Sequence, residues 1–123
     1  MVDDPEDLIR VSEAARVCGF RNKRSIIRAA AAGRIRIYRR DNWWHVSRAD
    51  LQRAPLLTAG RLARLARCST KTVRRRVKAH YLQPWVDPRR ARGFRPVRRF
   101  CLADVGRLRA SLRERVVFGV RLR

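Results

Sequence analysis

Lysine is nearly missing from a chain that is otherwise heavily basic. Of 32 basic residues only three are lysine (Lys23, Lys71 and Lys78), which leaves 29 arginines. Acids are also few, at 10, so the formal charge is +22 over 123 residues. Such a chain repels itself unless counter-charge is supplied, and phosphate backbones are the commonest supplier. No apolar run approaches the roughly 20 residues that cross a bilayer. No helix-length stretch carries Trp, Phe or Leu along one face as a membrane-surface helix does, so no membrane partner is expected. The opening Met1-Val2-Asp3-Asp4-Pro5-Glu6-Asp7 is acidic, unlike a secretory signal. Cysteines are odd in number, widely spaced (Cys18, Cys68, Cys101) and without a C-x-x-C pair. That pattern points to reduced thiols in a cytosol, not to disulfides or zinc. His45 and His80 are isolated and add no ligand set.

A catalytic constellation is missing too. Ser12, Ser47 and Ser69 read as helix caps, the acids are scattered, and no glycine-rich phosphate loop occurs. Arg, His and Tyr are present, as in tyrosine recombinases, but two very small modules leave no room for a strand-cleaving core. The expectation is a non-enzyme without metal or cofactor.

What is present is charge, unevenly spread. Residues 1–53 hold 12 basic and 7 acidic side chains, a net of +5, whereas residues 54–123 hold 20 and 3, a net of +17. Polyanion contact is therefore expected mainly in the second half. Its centre is Ser69-Thr70-Lys71-Thr72-Val73-Arg74-Arg75-Arg76-Val77-Lys78, which reads as a short helix capped by Ser69. Val73 and Val77 are four apart and share a core-facing side; Lys71, Arg75 and Lys78 lie opposite, with Arg74 and Arg76 on the flanks. A narrow helix with an apolar spine and a cationic outer face suits a major groove.

The remaining elements come in two matching series. An acidic, disordered arm (1–7) precedes a first module, 8–53. There Ser12 is a candidate cap for a small-residue helix holding Ala14, Ala15, Val17 and Cys18, stopped by Gly19. A second helix runs from about Lys23 to Ala32, with Ile26 and Ala30 inward and Gly33 at its end. Arg34–Tyr38 and Trp43–Val46 read as a hairpin about Arg39-Arg40-Asp41-Asn42, and Ser47-Arg48-Ala49-Asp50 as a capping box. Arg53-Ala54-Pro55 is the only linker. The second module, 56–115, repeats the order. It has a Thr58-capped helix, the cationic helix, hairpin arms Tyr81–Val86 and Val97–Cys101, and a last helix from Ala103 to about Arg113. The tail, 116–123, is apolar and basic. It is expected to pack back on its domain, with contact to a neighbouring copy as the alternative. The fold class expected is mainly α with short β-hairpins (α+β).

Val11-Ser12-Glu13-Ala14-Ala15-Arg16 and Val46-Ser47-Arg48-Ala49-Asp50-Leu51 in the first half resemble the excisionase and MerR-type family of winged helix-turn-helix modules. So do Leu57-Thr58, Leu62-Ala63-Arg64-Leu65, Ser69–Arg75 and Leu102-Ala103-Asp104-Val105 in the second. The resemblance covers about residues 8–112 and implies tandem winged folds that bind double-stranded DNA. It implies a second helix of each module in the major groove and a hairpin wing on backbone or minor groove. Sensor members of the family add a long dimerisation helix or an effector domain. Neither is expected here, and so no small-molecule effector.

The groove candidates of the second module are then Thr70, Lys71, Arg74, Arg75 and Lys78, and its wing is the loop carrying Arg89, Arg90, Arg92 and Arg95. The first module offers Arg21, Lys23, Arg24 and Arg28 around its second helix and Arg39 and Arg40 at its wing. Ile27 is read as core, with contact to a thymine methyl or to another copy of the protein as the alternative. Of the adjacent Trp43 and Trp44, one is expected inward and one outward. The expected role is that of an excisionase-like recombination directionality factor or a small phage or bacterial transcription regulator. It would be cytoplasmic and nucleoid-associated, with an integrase or further copies of itself along DNA as protein partners. The rival reading, from another class, is an RNA-scaffold protein like a basic ribosomal component.

Overall fold

The computed structural model describes residues 5–86 and 97–121, with only the helical backbone from 114 to 121. Two units divide the chain at Leu56 and Leu57. In the first, β1 (Leu8–Arg10) runs straight into α1 (Val11–Val17), followed by α2 (Arg24–Ala31), β2 (Tyr38–Arg40), β3 (Trp43–Ser47) and α3 (Arg48–Arg53). In the second, β4 (Leu57–Thr58), α4 (Ala59–Ala66), α5 (Thr70–Lys78), β5 (Trp85–Val86), β6 (Arg98–Phe100) and α6 (Ala103–Arg121) follow in the same order. Each unit holds a three-stranded antiparallel sheet, β1-β3-β2 and β4-β6-β5, with the last strand in the middle of both. The described residues thus form a mixed helix and sheet protein with six helices and two small sheets. None of the helices is long and apolar enough to cross a membrane.

Matching positions carry matching core residues. Ile26 and Val73 are fully buried on α2 and α5, Val46 and Phe100 on the central strands, and Ile35 and Leu82 in the segments before the hairpins. The helix ends also match. Phe20 and Gly19 donate their N–H groups to the carbonyls of Ala15 and Arg16, and Cys68 and Arg67 donate to those of Ala63 and Arg64. Arg34 and Gly33 close α2 in the same way, and Tyr81 and His80 close α5. This two-bond cap needs a left-handed residue. Glycine supplies it in the first unit (Gly19, φ 72°; Gly33, φ 77°), but Arg67 (φ 58°) and His80 (φ 66°) must supply it in the second. A side chain at such a φ costs about 1 kcal/mol. His80→Gly will therefore stabilise the second unit by about 0.5–1 kcal/mol, read as a higher thermal midpoint; an unchanged or lower one contradicts the strain.

Several sequence expectations are corrected. Ser12 is not a cap: α1 begins at Val11, and Ser12 is exposed in its first turn. The reason is that Arg10 is still paired with His45 in the sheet, which leaves no free turn before the helix. Arg34–Ile37 is not strand, because Arg34 is held in the cap of α2 and Ile35 drops into the core. Tyr81–Pro84 likewise precedes β5, for Tyr81 caps α5 and Pro84 has no N–H to give a ladder. Arg53-Ala54-Pro55 is no linker. Arg53 ends α3, Ala54 is buried, and the Pro55 carbonyl accepts from Arg34 Nη1 at 3.1 Å. Finally, α6 does not stop near Arg113. Its 19 residues take in Val116–Val120, so this segment continues the helix, and a long C-terminal helix is present. The run Arg107–Arg115 is rich in strong helix formers and has no glycine or proline to end it.

The acidic arm is also revised at its last residue. Asp7 Oδ2 accepts from the Ala49 N–H at 2.9 Å and from the Ser47 hydroxyl at 3.1 Å, and the Asp7 carbonyl accepts from Arg48 N–H at 3.0 Å. Ser47 Oγ in turn accepts from Asp50 N–H at 3.3 Å. Asp7 and Ser47 together thus satisfy the orphan donors of α3. The Ala49 N–H foremost, with the Ser47 hydroxyl, holds the Asp7 carboxyl below its usual 3.8. A depressed carboxylate contributes stability above its unfolded pKa and loses it as pH falls through the folded one. Asp7→Asn will therefore lower the thermal midpoint near neutral pH, and the gap to wild type will close below about pH 4. A gap that is constant with pH would contradict the carboxylate's role.

Candidate nucleic-acid interface

Helix α5 starts where Ser69 Oγ accepts from Thr72 N–H at 3.1 Å, with the two hydroxyl oxygens 2.9 Å apart. From that start, Val73 and Arg76 are buried and Val77 is half-buried, at i, i+3 and i+4 on the inner face. Lys71, Arg74, Arg75 and Lys78, at i, i+3, i+4 and i+7, are all exposed. They form one cationic stripe that extends about 10 Å along the helix. None of the four has an ion pair among the described residues, whereas Arg107 is bridged to Asp104 at 2.8 Å. Thr70, in the first turn, is half-buried.

Arg76, expected on a flank of the helix, lies inside. It is 7% exposed, with Nε donating to Ser111 Oγ on α6 at 2.9 Å, while Ser111 Oγ donates to the Leu108 carbonyl at 2.8 Å. Its guanidinium lies over the Tyr81 ring at 5.8 Å, and its Nη2 is buried without a partner. A guanidinium thus clamps α5 to α6 from below and fixes how the outer stripe is presented. At the matching place on α2 stands Ala29, so comparison of the two halves was the signal that could have found it.

On α2 the same outer stripe reads Arg24, Ile27, Arg28 and Ala31, two cations instead of four. Arg21, Lys23, Arg24 and Arg28 are exposed, and Asn22 Oδ1 accepts from Arg24 N–H at 2.9 Å to start the helix. Ile27 is half-buried and lines an open apolar groove with Ala30, Ile35, Ile37 and Ala54.

The first hairpin turns through Asp41 (φ 54°) and Asn42 (φ 64°), the two left-handed residues that the tightest hairpin turn requires. Here neither tryptophan is buried: Trp43 is 51% exposed and Trp44 44%. Strand alternation does send them to opposite sides, but both lie beside the turn, where each ring stays about half exposed with an arginine over it. Arg10 sits over Trp43 at 4.4 Å and Arg39 over Trp44 at 5.7 Å. Arg39 is exposed and Arg40 half-buried. Arg10, and Arg36 over Tyr38 at 5.3 Å, were not among the expected contacts. In the second unit Trp85 pairs with Arg99 and Val86 with Arg98 at the base of the longer hairpin. The expected wing cations Arg89, Arg90, Arg92 and Arg95 lie outside the described residues.

All three cysteines are thiols, with Cys18 fully buried. Burial, first of all, pushes the Cys68 and Cys101 thiols up, and the Asp104 carboxylate adds to it at Cys101. These are structural thiols, not activated nucleophiles. Among the described residues no group of three His, Cys, Asp or Glu could hold a metal. No protein-family model, curated protein or solved structure matches the chain.

Proposed function

We propose that this chain binds double-stranded DNA through two winged helix-turn-helix modules, with α5 in the major groove and the basic hairpin beside it on backbone or minor groove. In this reading it serves a mobile element or a bacterial nucleoid, as an excisionase-like recombination directionality factor or a small transcription regulator. An integrase and further copies of itself would be its protein partners there. The observation that carries the reading is the stripe Lys71, Arg74, Arg75 and Lys78, exposed and without acidic partners, on a helix whose opposite face is packed. Arginine in such a stripe can bridge guanine O6 and N7, while its neighbours neutralise phosphates.

Anisotropy with a labelled duplex of a few helical turns tests it. If about six to eight phosphates are neutralised, log K will fall with log salt at a slope of roughly −5 to −7. A structured RNA that competes better than duplex DNA at matched salt will overturn the reading in favour of an RNA-scaffold protein.

A further inference from the structure

We propose that the outer face of the sheet β1-β3-β2 is a stacking platform for single-stranded DNA, a site separate from α5. Strand pairing sets Tyr38 opposite His45 and Arg40 opposite Trp43, and sets Arg10 opposite His45 from the other side. Side chains alternate along a strand, so these residues share one face. The opposite face is committed to the core through Ile9 and Val46. Three rings, Tyr38, His45 and Trp43, therefore stand together on the outer side, with the guanidiniums of Arg10 and Arg36 over two of them. His45 Nδ1 donates to the Trp43 carbonyl at 2.9 Å, which holds that ring beside the strand and leaves Nε2 of the neutral form as an acceptor.

The chemistry of this face selects its occupant. Each stacked guanidinium covers one side of a ring and leaves the other side for a planar partner, and Trp43 remains 51% exposed with Arg10 in place. Tyr38 and Trp43 are diagonal neighbours across the two strands, about 7–8 Å apart, which gives one base room on each. Bases can stack on such rings only when their faces are free, which duplex DNA does not allow. The arginines supply charge for the phosphates between. Among the described residues the second unit has one counterpart ring, Trp85 in the place of Tyr38, with Arg99 in the place of His45, so the platform is argued for the first unit. That the strand is DNA and not RNA rests on the assignment of α5 to duplex DNA; the stacking itself does not.

The experiment is anisotropy of the full chain with a short labelled oligothymidine, an oligouridine of equal length and a duplex, at salt high enough to suppress charge-only binding. Trp43→Ala will weaken oligothymidine binding about tenfold and duplex binding less than twofold, and Trp43→Phe, which keeps a ring, will recover most of the loss. Wild-type affinity of Trp43→Ala for oligothymidine overturns the proposal, as does an equal loss on duplex. Tighter binding of oligouridine overturns the assignment to DNA. A chain that fails to bind duplex while Trp43→Ala still costs tenfold on oligothymidine removes the α5 reading and leaves this one standing.

Discussion

Replacing Lys71, Arg74, Arg75 and Lys78 together by alanine will lower duplex DNA affinity about a thousandfold, at roughly 1 kcal/mol for each of four contacts. The four side chains are exposed and unpaired by acids, and alanine is the best helix former, so α5 will persist in the variant. The salt slope will become shallower by about three to four, since each neutralised phosphate contributes about 0.9. Singly, Arg75→Ala will narrow the gap between preferred and random duplexes. The paired change Arg24→Ala and Arg28→Ala on α2 will cost far less, because that stripe holds two cations beside Ile27 and Ala31. Equal losses from the two helices, or a slope unchanged by the fourfold variant, would remove α5 from the interface.

The second large effect is on stability and comes from the inner face of the same helix. Arg76→Ala will destabilise the second unit by about 2–3 kcal/mol, because it deletes the charged bond to Ser111 and the packing on Tyr81 and leaves a void between α5 and α6. Arg76→Met will behave differently. It fills the space with an apolar side chain of similar length and removes a buried Nη2 that has no acceptor, so stability will stay within about 1 kcal/mol of wild type or rise. Urea unfolding of the two variants separates packing from charge. Duplex affinity should follow stability, falling for alanine and surviving for methionine. If methionine keeps the fold and still loses DNA, then Arg76 acts on the ligand and not on the seating of α5.

How much of this was readable beforehand follows physical lines. Periodicity and capping chemistry are local, so α4, α5, the Ser47, Thr58 and Ser69 caps and the order of helices and hairpins could all be read from spacing alone. The strands β1 and β4 could not, because segments of three and two residues carry no period. Asp7 looked like a free acid because its partners, Ser47 and Ala49, are 40 and 42 residues away.

The amino-acid order by itself settled which face of α5 is cationic, for a charge every three or four residues needs no tertiary context to line up on a helix. It equally settled that two similar modules follow one another, since each carries its own caps and turn residues. Only the tertiary structure decided where side chains of mixed character go. Arg76 is drawn inward because α6 brings Ser111 within 2.9 Å of it, and Trp43 and Trp44 stay about half exposed beside the turn, each with an arginine over it. Burial is a property of what lies across from a residue, and sequence neighbours do not determine that.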